Sequence, residues 1–483
     1  MPPSRPGHPT TLLPPGSHAA ATWTIPADYG GMTSALLRRS RAFVQEAGVP
    51  VRILTFAPDL DLDAARATLE DRGELVPGMT LHNVWHDLCL RPDDALGVPR
   101  RAVREPLPTG SPGERVRTEG DGDEAARVLH FRSDGSPAAV DERSGRGRSV
   151  TLYDRAGRRG RRWGSVWALY RSWLDEVLPA GPRFVVVDSK SLVTFFAAAG
   201  REDLRTVHVV HGAHLAAGAV DAHGPLTVAR TPLVEHLDDL DAVVFLTDAQ
   251  RRDVVDRVGD RAHTHVVPNS TDLPHGPLPE HADRYRGAVV ASLHARKRVG
   301  HAVAATGRAA RRAGLGLTLD VYGDGPMRPR VEARAAAVPG VTLHGFVPGA
   351  AERLADASFL LVTSRSEGLP LVFAEAMARG CVPLAYDIRY GPSDIVTDGV
   401  DGFLVPDGDI DALAAAIQRF VTLDGEAVRR MREAAVATAQ GYSDAAVVAR
   451  WAEVLHDVAR RPPAARGPRS LRRVAGMLRR APR

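Results

Sequence analysis

Two doubly wound α/β domains in tandem, the first interrupted by a small antiparallel β insertion, are the architecture this 483-residue sequence predicts. Three observations predict it. Short, nearly continuous apolar runs alternate with helical patterns along most of the chain, as strands buried on both faces of a parallel sheet do. Those runs fall into two successive series, one for each domain. Between Leu90 and Arg162 the rhythm breaks into alternating runs joined by glycine turns, the pattern of β-hairpins.

The first series is Val51–Ala57, Arg183–Ser189, Thr206–His211, Ala242–Thr247 and His265–Asn269. The second is Gly287–Leu293, Leu317–Tyr322, Val341–Phe346, Phe359–Ser364, Val382–Asp387 and Phe403–Val405. The insertion reads RVLHFRSDGSPAAVDE and SVTLYDRAGRRGRRW, with turns at Asp134-Gly135 and Ala156-Gly157. The predicted organisation is a first domain over 22–89 and 163–275, the insertion over 90–162 and a second domain over 286–440. A Pro-rich, charged stretch at 270–286 reads as the linker. A helix within 441–460 carries Ala446, Val447, Trp451, Val454 and Leu455 at helical spacing and is expected to pack back across the domains. An Arg-rich tail follows over 461–483, where LRRVAGMLRR has the pattern of a short basic amphipathic helix.

Composition excludes several classes. Hydrophobic residues make up 44% and charged residues 25%, the balance of a globular protein and not of a disordered one. No run approaches the ~18 to 20 apolar residues of a membrane span. The N-terminus lacks the apolar stretch and cleavage site of a secretory signal, and two cysteines, Cys89 and Cys381, cannot build a disulfide framework. A cytoplasmic protein is expected. Of the 62 basic residues only Lys190 and Lys297 are lysines. Nine arginines and no acid lie in residues 460–483, so the net charge of +4 becomes −5 for everything before them. A basic nucleic-acid surface on the folded body is therefore not expected.

Three segments carry chemistry. In Ser364–Gly380 (SRSEGLPLVFAEAMARG) a strand gives way to a loop with Glu367-Gly368 and a helix beginning near Pro370. Glu375 lies about five residues inside that helix, roughly 7 to 8 Å along its axis. Two carboxylates so spaced can touch two ends of one ligand, with an anion between them on the free N–H groups of the helix start. A surface glutamate followed by a solvated helix glutamate fits the spacing equally well. In Ser292–Gly300 (SLHARKRVG) a lysine, in a chain that otherwise uses arginine, sits on a loop after a strand. It reads either as a compact ammonium for a ligand or as a solvated cation beside Arg296 and Arg298. Gly30-Gly31 precedes a helix closing at Gly48, an arrangement that lets backbone approach an anion and that equally fits an ordinary turn.

Taken together these residues resemble the family 4 retaining glycosyltransferases of the GT-B fold, whose two Rossmann-like domains face a central cleft. Glu367 and Glu375 match the family's paired glutamates, Lys297 its diphosphate lysine, and Gly30-Gly31 its N-terminal glycine loop. GGMTSALLRRSRAF, VVVDSKS, VVHGAH, FLTDAQRRDV and YDIRYGPSDIVTDGVDGFLV extend the resemblance to the branch of poly(glycerol-phosphate) α-glucosyltransferases and teichoic acid α-N-acetylglucosaminyltransferases. It covers roughly residues 28 to 455.

The resemblance implies transfer of a hexose or N-acetylhexosamine, with retention and without a metal, from a nucleotide sugar to a hydroxyl of a cell-envelope polymer such as wall teichoic acid. No cofactor is expected beyond the donor, UDP-glucose or UDP-N-acetylglucosamine. Lys297 would neutralise the leaving diphosphate, and Glu367 would contact the donor sugar. His211 would stand beside the reaction centre, and Glu375 would accept hydrogen bonds from the ribose. Gly368 and the amides of Leu369, Pro370's neighbour Leu371, and Val372 would hold phosphate or sugar hydroxyls, and Gly30-Gly31 would close over them. The family usually has an arginine five residues before the lysine. Here that position is Ser292, so Arg296 or Arg298 would have to supply the cation.

The resemblance further implies an anionic polymer or lipid-linked acceptor and a β insertion that serves homo-oligomerisation. The tail reads either as a solvated end or as a contact with anionic membrane, which would hold the protein peripherally at the inner face of the plasma membrane. An inactive glycosyltransferase-like partner that binds sugar or a protein is the alternative function. A nicotinamide oxidoreductase is the third reading, disfavoured because Arg328 replaces the last glycine after Tyr322-Gly-Asp-Gly. No metal site is expected. His208, His211 and His214 alternate across a strand, and Asp59/Asp61, Asp121/Asp123 and Asp407/Asp409 fall in loops.

Overall fold

Eighteen strands are seen in the computed structural model, which describes residues 12–120, 126–144, 147–199, 201–216, 219, 221–259, 263–274 and 284–464. They are β1 (Ser17–Thr22), β2 (Val51–Thr55), β3 (Met79–Asn83), β4 (Val116–Glu119), β5 (Ala126–Phe131), β6 (Pro137–Ser144), β7 (Gly147–Tyr153), β8 (Arg159–Trp163), β9 (Arg183–Val187), β10 (Leu204–Val210), β11 (Ala242–Phe245), β12 (Thr264–Val266), β13 (Arg286–Val290), β14 (Thr318–Tyr322), β15 (Val341–Gly345), β16 (Phe359–Val362), β17 (Val382–Asp387) and β18 (Phe403–Pro406). The first sheet has the order β12-β11-β10-β9-β1-β2-β3 and the second β15-β14-β13-β16-β17-β18. The order of each reverses near its middle, as in a doubly wound fold.

The β-branched runs form strands for the reason expected of them. RFVVV in β9, AVVF in β11 and FLLV in β16 are buried at every position. Most of the strands stop one to three residues short of the apolar runs, while β14 and β17 end with theirs and β18 passes its run by one residue. Thr247 caps the helix Asp248–Val258 through the N–H of Gln250 at 3.3 Å. Two strands escape the pattern altogether. β1 (SHAAAT) lies inside the first sheet, in parallel register with β2 (His18 opposite Val51) and with β9 (His18 opposite Phe184). Its alanines are fully buried but have none of the β-branched character that marks a strand. β3 is an edge strand with alternating burial.

The insertion is a five-stranded antiparallel sheet in the order β4-β5-β6-β7-β8, one strand more than the two hairpins read from the sequence. Its turns are the expected ones. Gly135 and Gly157 take φ of 79° and 75°, and Asp134 accepts from the N–H of Ser136 at 2.8 Å. One face places Ala139, Val150, Leu152 and Trp163 in the same core as Phe56, Leu169, Trp173 and Phe195. The other face buries Leu129, Phe131, Val140 and Tyr153 in a small core of their own. The insertion is thus a layer laid on the first domain.

A buried ion pair ties that domain together. Arg39, on the helix Gly31–Ala47, donates to both carboxylate oxygens of Asp188, just past β9, at 2.9 and 2.6 Å. The side chains are 7% and 0% exposed. In the second sheet, successive residues of β16 face opposite layers. Phe359 and Leu361 join the helices Val299–Ala313 and Ile410–Thr422, while Leu360 and Val362 join Leu371–Met377 and Gly425–Gln440.

The described residues group into two compact units: those within Met1–His208, Pro232–Ala242 and Leu455–Arg483, and those within Val209–Thr231 and Val243–Val454. Of the linker read at 270–286, positions 275–283 lie outside the described residues, as does the tail from 465 on. The helix Asp444–Arg460 buries Val447, Trp451, Val454 and Leu455 of the stripe that its spacing predicts and leaves Ala446 half-buried. Among the described residues no helix is long and apolar enough to cross a membrane.

Candidate active site

The second unit brings together segments far apart in sequence. β13 ends at Val290, and the loop after it makes a single 3-10 turn, Ala295–Lys297, before the helix Val299–Ala313. β16 ends at Val362, and its loop carries Glu367 to Pro370, the N-cap of the helix Leu371–Met377. The two loops meet at Glu367. Lys297 Nζ donates to Glu367 Oε1 at 2.6 Å and Arg296 Nη1 lies 2.9 Å from Oε2, so two cations hold one carboxylate from both sides. Arg296 also donates to the Ser366 carbonyl at 2.6 Å.

The Glu367 side chain is 10% exposed, and burial works to raise its pKa. The charges of Lys297 and Arg296 outweigh that and hold the carboxyl below the usual glutamate range. A group with a depressed folded pKa keeps its pairing energy above its ordinary value of 4.5 and loses it only as pH falls through the lower folded value. The NMR titration of the Glu367 carboxyl carbon is expected to have its midpoint below 4.5; a midpoint above it would show that burial prevails.

Arg298 is committed elsewhere. It adopts φ 47°, rare for a residue with a side chain, and its guanidinium donates to the carbonyls of Thr363 and Ser364 at 2.9 and 2.7 Å. It also pairs with Asp407 and lies 5.0 Å from the Tyr386 ring centroid. Thr363 Oγ1 in return donates to the Lys297 and Arg298 carbonyls at 3.0 and 3.1 Å. Arg298 therefore clasps the Lys297 loop to the end of β16, and the cation beside Lys297 is Arg296. Ser292 is exposed, with its carbonyl accepting from the His294 N–H at 2.8 Å.

Gly368, Leu369 and Pro370 are buried, while Leu371, Val372 and Glu375 are half-buried. Leu371 and Val372 open the first helical turn, whose N–H groups have no partner within a helix. Glu375 is the fifth helical residue, as the spacing predicts. Gly368 is required by contact. A Cβ there would stand 2.3 Å from the His211 carbonyl oxygen and 3.3 Å from Gly212 Cα. His211 follows β10, and its backbone is thereby laid against the Glu367 loop. Gly368→Ala is expected to cost about 1–3 kcal/mol, the usual penalty of overpacking, because neither backbone can yield as a side chain would. Chemical denaturation measures it, and turnover should fall further than stability does.

Residues to which the sequence reading gave no role complete this loop cluster. Gln250 Nε2 donates to the Gly212 carbonyl at 2.9 Å, and Tyr390 stacks on His214 with centroids 5.7 Å apart. The Tyr390 hydroxyl donates to Asp253 at 2.6 Å. Gly391 has φ 113°, and a Cβ there would lie 2.7 Å from Pro370 Cδ, which gives the Tyr-Gly-Pro run its physical reason.

Gly30 and Gly31 belong to the first unit. Gly30 is the N-cap of the helix Gly31–Ala47, both glycines are exposed, and a Cβ on either would meet nothing within 4 Å. Asp61 and Asp409 cap helices, and Asp407 pairs with Arg298; Asp121 and Asp123 lie outside the described residues. His208 and His214 are buried. Among the described residues no three His, Cys, Asp or Glu side chains gather as a metal-holding group.

The fold these elements make is GT-B. The chain is similar to a mutant of TarM from S. aureus, solved with fondaparinux, α-GlcNAc-glycerol and UDP, at a TM-score of 0.68 and 16% identity over 91% of this chain and 99% of that one. Residues 285–422, which contain Lys297, Glu367 and the helix behind them, match the family model described as glycosyl transferases group 1, so the chain carries a domain of that group. Two curated relatives are the exopolysaccharide phosphotransferase SCO2592 of Streptomyces coelicolor and the poly(glycerol-phosphate) alpha-glucosyltransferase of Bacillus subtilis. The first is 31% identical over 48% of this chain and 25% of its own length, and the second 27% identical over 46% and 33%. The chain thus matches a third or less of the length of these two relatives.

Proposed function

We propose that this chain is a retaining α-glycosyltransferase that moves a hexose or N-acetylhexosamine from a nucleotide sugar to a hydroxyl of a phosphate-rich cell-envelope polymer. The observation that carries the reading is the cluster of Lys297, Arg296 and Glu367 set before the helix Leu371–Met377. Cations and helix-start amides in one place suit a diphosphate leaving group, and a carboxylate among them suits sugar hydroxyls. UDP is the nucleotide favoured, since the similar TarM structure was solved with it. The poly(glycerol-phosphate) relative supports the acceptor class. The phosphotransferase is matched over only 25% of its length, and its reaction is not carried over.

In the proposed reaction the bond between the anomeric carbon and the diphosphate oxygen breaks, and the acceptor oxygen bonds to that carbon from the same face. The acceptor proton passes to the departing phosphate. Lys297 neutralises the charge that develops on the diphosphate, and Arg296 takes the place of the arginine missing at Ser292. Glu367 orients the sugar, Glu375 holds the ribose hydroxyls, and His211 stands at the reacting face. No cofactor is needed beyond the donor, and the cytoplasm, where nucleotide sugars are made, is the proposed location.

Release of UDP from a panel of UDP-sugars, with and without poly(glycerol phosphate), tests this. Release from one donor, stimulated by the polymer, is the expected result. Release that ignores every phosphate-bearing polymer would discard the acceptor, and binding of a nucleotide sugar without turnover would favour the inactive partner.

A further inference from the structure

Arg230 stands out among the described cations of the second unit. It is 9% exposed, its Nη1 is buried without a hydrogen-bond partner, and among the described residues no carboxylate pairs with it. Burial alone lowers its pKa, to about 10, so the guanidinium keeps its charge at neutral pH. A buried, unpaired guanidinium is costly, and its ordinary remedy is an anion.

Its neighbours sharpen the point. His214 lies within the field of three guanidinium groups, Arg230, Arg257 and Arg389, and of one carboxylate, Asp253. Asp253 is already engaged by Arg389 at 3.1 Å and by the Tyr390 hydroxyl. Arg257 is tied to the carbonyls of Ala222 and Gly224 at 3.2 and 2.7 Å. Burial brings the His214 imidazole down to about 4, so it adds no charge at neutral pH. The locus carries a surplus of positive charge, and Arg230 is the member not already engaged.

Its position links it to the reaction site. Arg230 Nη2 lies 3.7 Å from where a Cβ on Gly212 would be, and Gly212 Cα in turn lies 3.3 Å from where a Cβ on Gly368 would be. The guanidinium thus lies against the backbone of the His211 loop, with no side chain at 212 between them. The Lys297 cluster already provides for the diphosphate of the donor.

We propose that Arg230 is an anion site that takes a phosphate group of the acceptor, a phosphodiester of the polyol-phosphate chain, and so sets which hydroxyl is presented at His211. The assignment to the acceptor rests on the function proposed above; the anion site does not. A bidentate guanidinium fits a phosphodiester's two free oxygens, which lysine would not match.

Two measurements on the full chain, with UDP saturating the donor site, test this. The first is thermal unfolding of the wild type, Arg230→Gln and Arg230→Met, in inorganic phosphate and in chloride of equal ionic strength. Phosphate is expected to raise the Tm of the wild type only, and Arg230→Met to raise the Tm in chloride, since it removes an unpaired buried charge. A phosphate effect that is the same in all three proteins would overturn the anion site. The second is affinity for a poly(glycerol phosphate) oligomer, expected to fall at least tenfold in Arg230→Gln while UDP affinity, measured alone, is unchanged. A parallel loss of UDP affinity would move the site to the donor diphosphate and overturn the acceptor assignment. Failure of the wild type itself to bind the oligomer, with the phosphate effect intact, would refute the acceptor class and leave the anion site standing.

Discussion

Lys297→Ala is expected to lower turnover of the nucleotide sugar by about 10²–10³-fold, the loss typical when one preorganised group facing developing charge is removed. The side chain is 18% exposed and its ammonium sits 2.6 Å from Glu367, so it is already desolvated and fixed before a donor arrives. Removing it leaves Arg296 as the cation beside Glu367. The carboxyl should therefore titrate higher in the variant, which separates this effect from a general loss of fold. Lys297→Arg should recover only part of the rate, because a planar guanidinium cannot occupy the space of a compact ammonium between two loops. UDP release and the Glu367 titration check both statements, and an unchanged rate in Lys297→Ala would remove the basis of the proposed function.

Asp188→Ala should destabilise the first unit by about 3–5 kcal/mol, because it removes the carboxylate that pairs with the Arg39 guanidinium in a site with 7% exposure. The pair joins the helix that begins at the glycine loop to the end of β9, so its loss should also loosen Gly30 and Gly31. Replacing both partners, Arg39→Met with Asp188→Leu, should restore most of the stability, since two apolar groups leave no charge behind. Urea unfolding of the single and double variants decides this. A double variant no better than Asp188→Ala would mean that the pair holds a geometry apolar contacts cannot reproduce.

What could be read in advance followed from local physics. VVV, AVVF and FLLV announce buried strands in any setting, and Asp134-Gly135 and Ala156-Gly157 announce tight turns. SHAAAT does not announce a strand, because alanine satisfies a helix as readily, and only its place between β2 and β9 decides. The residues of the Lys297 cluster were legible as types at suggestive spacing. The ion pair between Lys297 and Glu367 was not, since it joins residues 70 apart. Nor was the clasp of Arg298, or the contact of Gly368 with His211. In a chain with 60 arginines, nothing in the sequence separates Arg230 or Arg39 from the arginines that coat the surface.

The place of β1 has a consequence for how the chain is made. The strand is made before both of its partners in the sheet, and one of them, β9, begins only at Arg183. Ala19, Ala20 and Ala21 can pair with β2 early, but their other edge must wait until the whole five-stranded insertion has been synthesised. During that interval the half-sheet presents unpaired backbone and the apolar residues of its faces, the condition in which strands find wrong partners. An alanine strand is poor bait for such pairing, being small and of low β propensity. The residues that hide β1 from a reader of the sequence would also keep it from premature partners in the nascent chain.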